Sequence, residues 1–101
     1  GIDAFVVDSR YAVAPSDVSA AKVHTIDGDV TKLWFDTLDP RWRQPGFVLG
    51  GITGADALFV LEVLARDRGR RVISRKELPA AEGAPAPVSW VIAPVHSSVM
   101  G

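Results

Sequence analysis

Cysteine is absent from these 101 residues, so disulfides, thiol nucleophiles and thiolate metal sites are all excluded. That absence leaves the compartment open, because exported proteins also do without cysteine. Histidine is scarce: His24 and His96 are the two, and neither sits in a motif that would make it the base for Ser9 or Thr53. A G-x-S-x-G nucleophile elbow is missing as well. Long apolar runs are lacking. The longest, Ala57 to Ala65, contains Glu62 and falls far short of the roughly 20 residues that span a bilayer. No leader with a charged stretch and an apolar stretch opens the chain. It begins at Gly1 without an initiator methionine, which leaves a removed leader or a cloning scar as alternatives. Excess charge of either sign is missing too. Eleven Lys and Arg stand against 12 Asp and Glu, for a net charge of −1 and a pI of about 6.1. Nucleic acid and anionic membranes therefore have no global electrostatic pull on this chain. The basic run Arg66–Arg71, with Arg75 and Lys76 beyond, is broken by Asp67 and followed by Glu77, and arginines suit a helix C-terminus in any case.

What is present is globular. Hydrophobic residues make up 48% and charged residues 23%, in one α/β domain over 1–101. A chain this short buries about two-thirds of its unfolded surface, so stability is modest without self-association.

The continuous apolar run Ala4–Val7, ending in Asp8-Ser9-Arg10, reads as a buried strand running into a polar loop. Ser16 is placed to cap a short helix through Ala21, with Pro15 preventing a longer one. Val23–Ile26 alternates as an edge strand does, and Asp27-Gly28 turns the chain. Asp29 is an N-cap for a second helix carrying Val30, Leu33, Trp34 and Leu38 at helical spacing, and Asp39-Pro40 is expected to stop it. Phe47–Leu49 reads as the third strand and GGITG as a glycine turn. Thr53 and Asp56 have capping-box spacing ahead of an apolar third helix that Gly69 ends. Val72–Arg75 is the fourth strand. After the proline-rich loop AAEGAPAP, Val88–Ile92 returns antiparallel or sits at an edge. The tail 94–101 is expected to be flexible or exchanged with a neighbour. Alternating strands and helices predict a mainly parallel, Rossmann-like or flavodoxin-like sheet of about five strands and three helices.

Two stretches, Gly28–Arg43 (GDVTKLWFDTLDPRWR) and Gly50–Val72 (GGITGADALFVLEVLARDRGRRV), resemble a family of small uncharacterised proteobacterial proteins often made with a twin-arginine export leader. The shared features are Gly28–Thr31, the Leu33-Trp34 pair, Leu38–Arg43 and the Ala57-Leu58-Phe59 helix. Tyr11–Lys22 departs from it, since the family has a longer alanine-rich helix there. The resemblance implies a periplasmic location, a cytoplasmic one being the alternative; it implies no chemistry.

Two functional expectations follow from the residues. In an open parallel sheet, ligands sit beyond the carboxyl ends of the strands. If the first and third strands are neighbours, Ser9, Arg10, Gly51, Thr53 and Gly54 would line a crevice for a small anionic ligand, with the helix dipole and Arg10 as its cationic partners. Against this, GGITG matches neither the dinucleotide fingerprint nor the phosphate loop. Asp8, Asp27 and Asp29 could gather at one sheet end around a divalent cation, but Asp27 and Asp29 are better read as turn and cap residues, and no metal or cofactor is implied. The other expectation is self-association. Leu58, Phe59, Val60, Val63 and Leu64 put apolar side chains on nearly every side of the third helix, more than one small sheet covers, and Trp42 between two arginines is a candidate anchor. The first choice is a non-catalytic or accessory domain that acts by self-association or partner binding; the alternative is a small-molecule binding domain or enzyme that uses the anion crevice.

Overall fold

The apolar run near the N-terminus is a strand, and the rest of the chain is laid out on either side of it. In the computed structural model, residues 1–18 and 22–95 are described. Strand β1 (Ala4–Asp8) lies between β2 (Val23–Ile26) and β3 (Leu49–Thr53), parallel to both. Beyond β3 the direction changes. β5 (Val88–Pro94) pairs antiparallel with β3, and β4 (Arg70–Glu77) pairs antiparallel with β5, so the order is β2-β1-β3-β5-β4.

This mixed five-stranded sheet overturns the mainly parallel, Rossmann-like or flavodoxin-like expectation, and among the described residues there are two long helical segments rather than three. The cause lies in the last connection. The stretch from Leu78 to Pro87 is a hairpin, closed by Leu78 N–H donating to the Pro87 carbonyl at 2.9 Å. A hairpin can only return its strand antiparallel. The preceding helical crossover carries β4 one place past the neighbour of β3, and β5 fills the slot between them. The antiparallel return was legible; an edge position for that strand was not, because both its sides are paired.

The first crossover holds a single 3-10 turn, Pro15–Asp17, rather than the helix expected from Ser16. Pro15 starts the turn, and Val18 N–H bonds back to its carbonyl at 3.2 Å. Residues 19–21 of that expected helix, like the tail 96–101, lie outside the described residues.

The second crossover is a continuous helix, α1, over residues 31–41: an α turn Thr31–Leu33, a π segment Trp34–Leu38 and an α turn Asp39–Arg41. Val30 rather than Asp29 is the N-cap; Asp29 stands one residue earlier, its Oδ1 accepting the Thr31 N–H at 2.9 Å. Asp39-Pro40 does not stop it. Proline has no N–H for the fourth carbonyl back, and its ring crowds that carbonyl. Widening to π pairing, in which Asp39 N–H donates to Trp34 O, lets the chain pass Pro40. The α pattern then resumes, Trp42 N–H donating to Leu38 O at 2.7 Å.

Helix α2 (Ala55–Arg66) is the third crossover, and Gly69, with φ of 69°, ends it in the left-handed conformation its position required. Leu33, Leu38 and Trp42 from the α1 region share one core with Ala57, Leu58, Leu61 and Ala65 of α2 and with Ala4, Val6, Leu49, Trp90 and Ile92 of the sheet. Both helices therefore cover the same face. Right-handed crossovers explain this, since the β2-to-β3 and β3-to-β4 connections both move in the same direction across the sheet.

Strand β3 begins at Leu49 rather than Phe47 and takes in Gly50 and Gly51, which were expected in a turn. Side chains pressing on both faces of the strand explain why glycine is needed there. A Cβ on Gly51 would stand 2.3 Å from Trp90 Cζ2, and one on Gly50 would stand 3.0 Å from Phe5 Cδ1 and Ile2 Cδ1. Buried Arg70 fastens β4 to the segment after α1, donating to the carbonyls of Trp42, Gln44, Phe47 and Arg68.

Candidate functional site

Strands β1 and β3 are neighbours, so the residues at their carboxyl ends lie together, and their contacts can be read atom by atom. Asp8, the last residue of β1, is fully buried. Its carboxylate accepts four N–H groups: Gly54 N–H at 3.1 Å, Arg10 N–H at 3.2 Å, Arg10 Nε at 3.0 Å and Arg10 Nη2 at 2.8 Å. The guanidinium reaches on to Asp56 in the first turn of α2, with Nη1 2.9 Å and Nη2 2.8 Å from its two oxygens. Arg10 thus clamps two carboxylates.

Electrostatics follow the geometry. Burial pushes the Asp8 carboxyl up, but the Arg10 guanidinium and the N–H groups of Gly54 and Arg10 outweigh it and hold the group below its ordinary value. Arg10 holds Asp56 down at about 2. Arg10 itself is raised, chiefly by its bonds to Asp56 and Asp8.

The residues expected to bind an anion are all close to this clamp, and most have work inside the chain. Gly54, at the N-cap of α2, gives its N–H to Asp8. A Cβ on it would stand 2.5 Å from both Asp56 Oδ1 and the Tyr11 hydroxyl oxygen. Thr53 is not the helix cap that its spacing with Asp56 suggested. It is buried at the end of β3, its hydroxyl donating to the Gly54 carbonyl at 2.8 Å and accepting Trp90 Nε1 at 3.0 Å. Gly51 is seated under Trp90 rather than in a loop. Ser9 faces outward, on the rim of a neighbouring groove. The negative charge that a helix N-terminus and an arginine invite is supplied by Asp8 and Asp56. The signal for this was in the sequence as Asp8 two residues before Arg10, a spacing that closes a local ion pair at a strand end.

Among the described residues no three acidic, histidine or cysteine side chains converge to hold a metal ion. Asp8 is committed to Arg10 and Gly54, and Asp29 to the first turn of α1.

The apolar residues of the self-association expectation divide. Trp42 and Leu58 belong to the core, each 1% exposed, so neither anchors a partner. Trp42 instead packs edge-on against Trp34, with centroids 5.5 Å apart. Leu64 is half-buried against the core. Phe59, Val60 and Val63 face outward, at 65%, 44% and 42% exposure. Among the described residues no helix is long and apolar enough to cross a membrane.

No protein-family model matches this chain, and neither a curated protein nor a solved structure matches it.

Proposed function

We propose that this domain is a non-catalytic interaction module that associates with a second copy of itself through the outer face of α2. The observation behind this reading is the exposure of Phe59, Val60 and Val63 midway along a helix whose other side is already in the core. The occupant follows from the charges around the stripe. Asp56 lies at its N-terminal end and Arg66 at its C-terminal end. An antiparallel copy of α2 brings each Asp56 toward the partner's Arg66 and each Phe59 toward the partner's Val63, with helix dipoles opposed. Against an anionic-ligand role, the N–H groups of the crevice are bonded to Asp8 and Asp56.

The strength of the contact can be bounded. The three exposures amount to about one and a half fully buried side chains, or about 2–4 kcal/mol per protomer. Two protomers together exceed the low end of the cost of association by at most about 4 kcal/mol, so the dimer is weak, with a dissociation constant of about 1 mM or more. Sedimentation velocity up to about 2 mM should show the onset of a reversible monomer–dimer shift. Phe59→Asp should remove the shift while leaving the melting temperature of the dilute protein nearly unchanged, because Phe59 contributes little to the core. A sedimentation coefficient that stays monomeric across the whole series would sink the reading.

A further inference from the structure

We propose that the outer edge of β2 is a second interaction site, one that takes an extended peptide as an added strand. β2 ends the sheet. Phe5 N–H donates to the Lys22 carbonyl at 2.8 Å and Ser9 N–H to the Ile26 carbonyl at 2.7 Å. By the two-residue period of a strand, Lys22, His24 and Ile26 bond inward to β1, and Val23 and Thr25 turn their N–H and C=O groups outward. Among the described loops and caps no backbone group bonds to either of them.

Beside this edge runs a groove of about 570 Å³, with the whole of β2 as one wall and Lys32, Leu33, Asp36 and Thr37 of α1 as the other. A free strand edge beside a helix is the arrangement in which peptides add to a sheet. The ladder supplies affinity, and the groove selects alternate side chains. His24 lies midway, its Nε2 buried and bonded to nothing among the described residues. His24 thus holds, behind the groove wall, a polar atom that the described residues leave unsatisfied.

The charges set the direction of the peptide. Asp27 and Asp29 lie at the C-terminal end of β2, and Lys22 and Arg41 line the adjoining hollow at its N-terminal end. A peptide with a basic residue at its start and an acidic side chain or free carboxylate at its end fits antiparallel to β2. The opposite edge, β4, makes a poorer template, because Arg71, Arg75 and Lys76 along it repel a second strand of the same kind.

The test is a titration of the ¹⁵N-labelled protein with the peptide acetyl-Arg-Thr-Val-Thr-Val-Glu bearing a free carboxyl terminus, to about 2 mM. Saturable shifts should centre on the amides of Val23 and Thr25. The charge-swapped peptide acetyl-Glu-Thr-Val-Thr-Val-Arg amide should bind at least about fivefold more weakly. Thr25→Pro removes an outward N–H without touching the β1 ladder, a place where an edge strand tolerates proline. It should cost about fivefold or more in affinity, one ladder hydrogen bond being worth about that factor. If that variant does not fold, the same peptide with its central amides N-methylated makes the equivalent deletion from the ligand side. Absence of shifts at β2, equal affinity for the two peptides, or undiminished binding after removal of the ladder N–H groups overturns the proposal. None of these results depends on the α2 face, so either reading can fail alone.

Discussion

Replacing Asp8 with alanine tests whether the crevice is held together by its own internal anion. The carboxylate has four N–H groups on it and is fully buried. Its removal leaves the buried Gly54 N–H without an acceptor, a loss of about 1–3 kcal/mol. Breaking a fully buried ion pair costs about 3–5 kcal/mol, but Arg10 is 37% exposed and keeps Asp56, so most of its charge is still compensated or solvated. The two effects together give about 2–3 kcal/mol, a large share of the roughly 5–15 kcal/mol that a domain of this kind has. Urea unfolding followed by tryptophan fluorescence measures it. The same variant offers a sharper test, because alanine leaves a carboxylate-sized hole lined by the original donors. Formate should restore stability to Asp8→Ala, by about 1.4 kcal/mol when present at tenfold its dissociation constant. It should not raise the wild type above a chloride control of equal ionic strength. A loss under about 0.5 kcal/mol, or equal stabilisation of both proteins by formate, refutes the account of Asp8 as the anion that the helix and Arg10 require.

Gly51→Ala should cost about 3 kcal/mol or more, because the added Cβ meets the pinned ring of Trp90 at 2.3 Å. Gly69→Ala, with open space but a φ of 69°, should cost only about 1–2 kcal/mol; a reversed order in chemical denaturation would contradict the packing role given to Gly51. Arg70→Ala should lose about 3–4 kcal/mol by stranding buried carbonyls after α1, and Arg70→Lys should recover only part, since an ammonium cannot reach them all. The pH dependence has a definite sign. Asp8 and Asp56 both have folded values below their unfolded ones, so the stability they contribute is fully present above about pH 4 and is lost as pH falls toward about 2. The melting temperature should drop more steeply below about pH 4 in the wild type than in Asp8→Ala, and parallel profiles would contradict the clamp.

Most of the local elements could be read from the chain because each was marked by short-range chemistry. Ala4–Val7 is apolar enough to be a buried strand, Asp29 accepts an N–H at the start of α1, and Gly69 ends α2. The failures came where a distant contact decided the local structure. Gly50 and Gly51 have the composition of a turn, and only the aromatic side chains of Phe5 and Trp90, far along the sequence, explain why a strand needs glycine there. Pro40 reads as a stop, yet packing of Leu38 and Trp42 into the core rewards continuing past it through a π segment. Sheet order was out of reach for the same reason, since nothing local says that β5 enters between β3 and β4. The site shows the same division. The cationic side of the crevice was legible as a helix start and Arg10, whereas its anion was hidden in the burial of Asp8, which depends on the whole fold.

The two proposed surfaces make different demands on a partner, and their places in the fold let both be satisfied together. α2 packs on β3, β5 and β4, whereas the free edge of β2 is at the other side of the sheet, beyond β1. Association through Phe59, Val60 and Val63 therefore leaves the β2 groove open on each copy. A weak dimer would then present two peptide sites. Each site alone is limited by the few ladder bonds that a four-residue strand offers. A ligand carrying two such segments on one chain binds its second site at an effective concentration of about millimolar if its linker spans the pair. Such a ligand would also stabilise the dimer, since it binds the paired form better than the single one. The titration can be repeated with two copies of the peptide joined by a flexible linker. In the wild type the joined peptide should bind about tenfold or more tighter than the single one, and this gain should vanish in Phe59→Asp. A gain that survives in the monomeric variant would mean that the α2 face and the β2 edge are not used together.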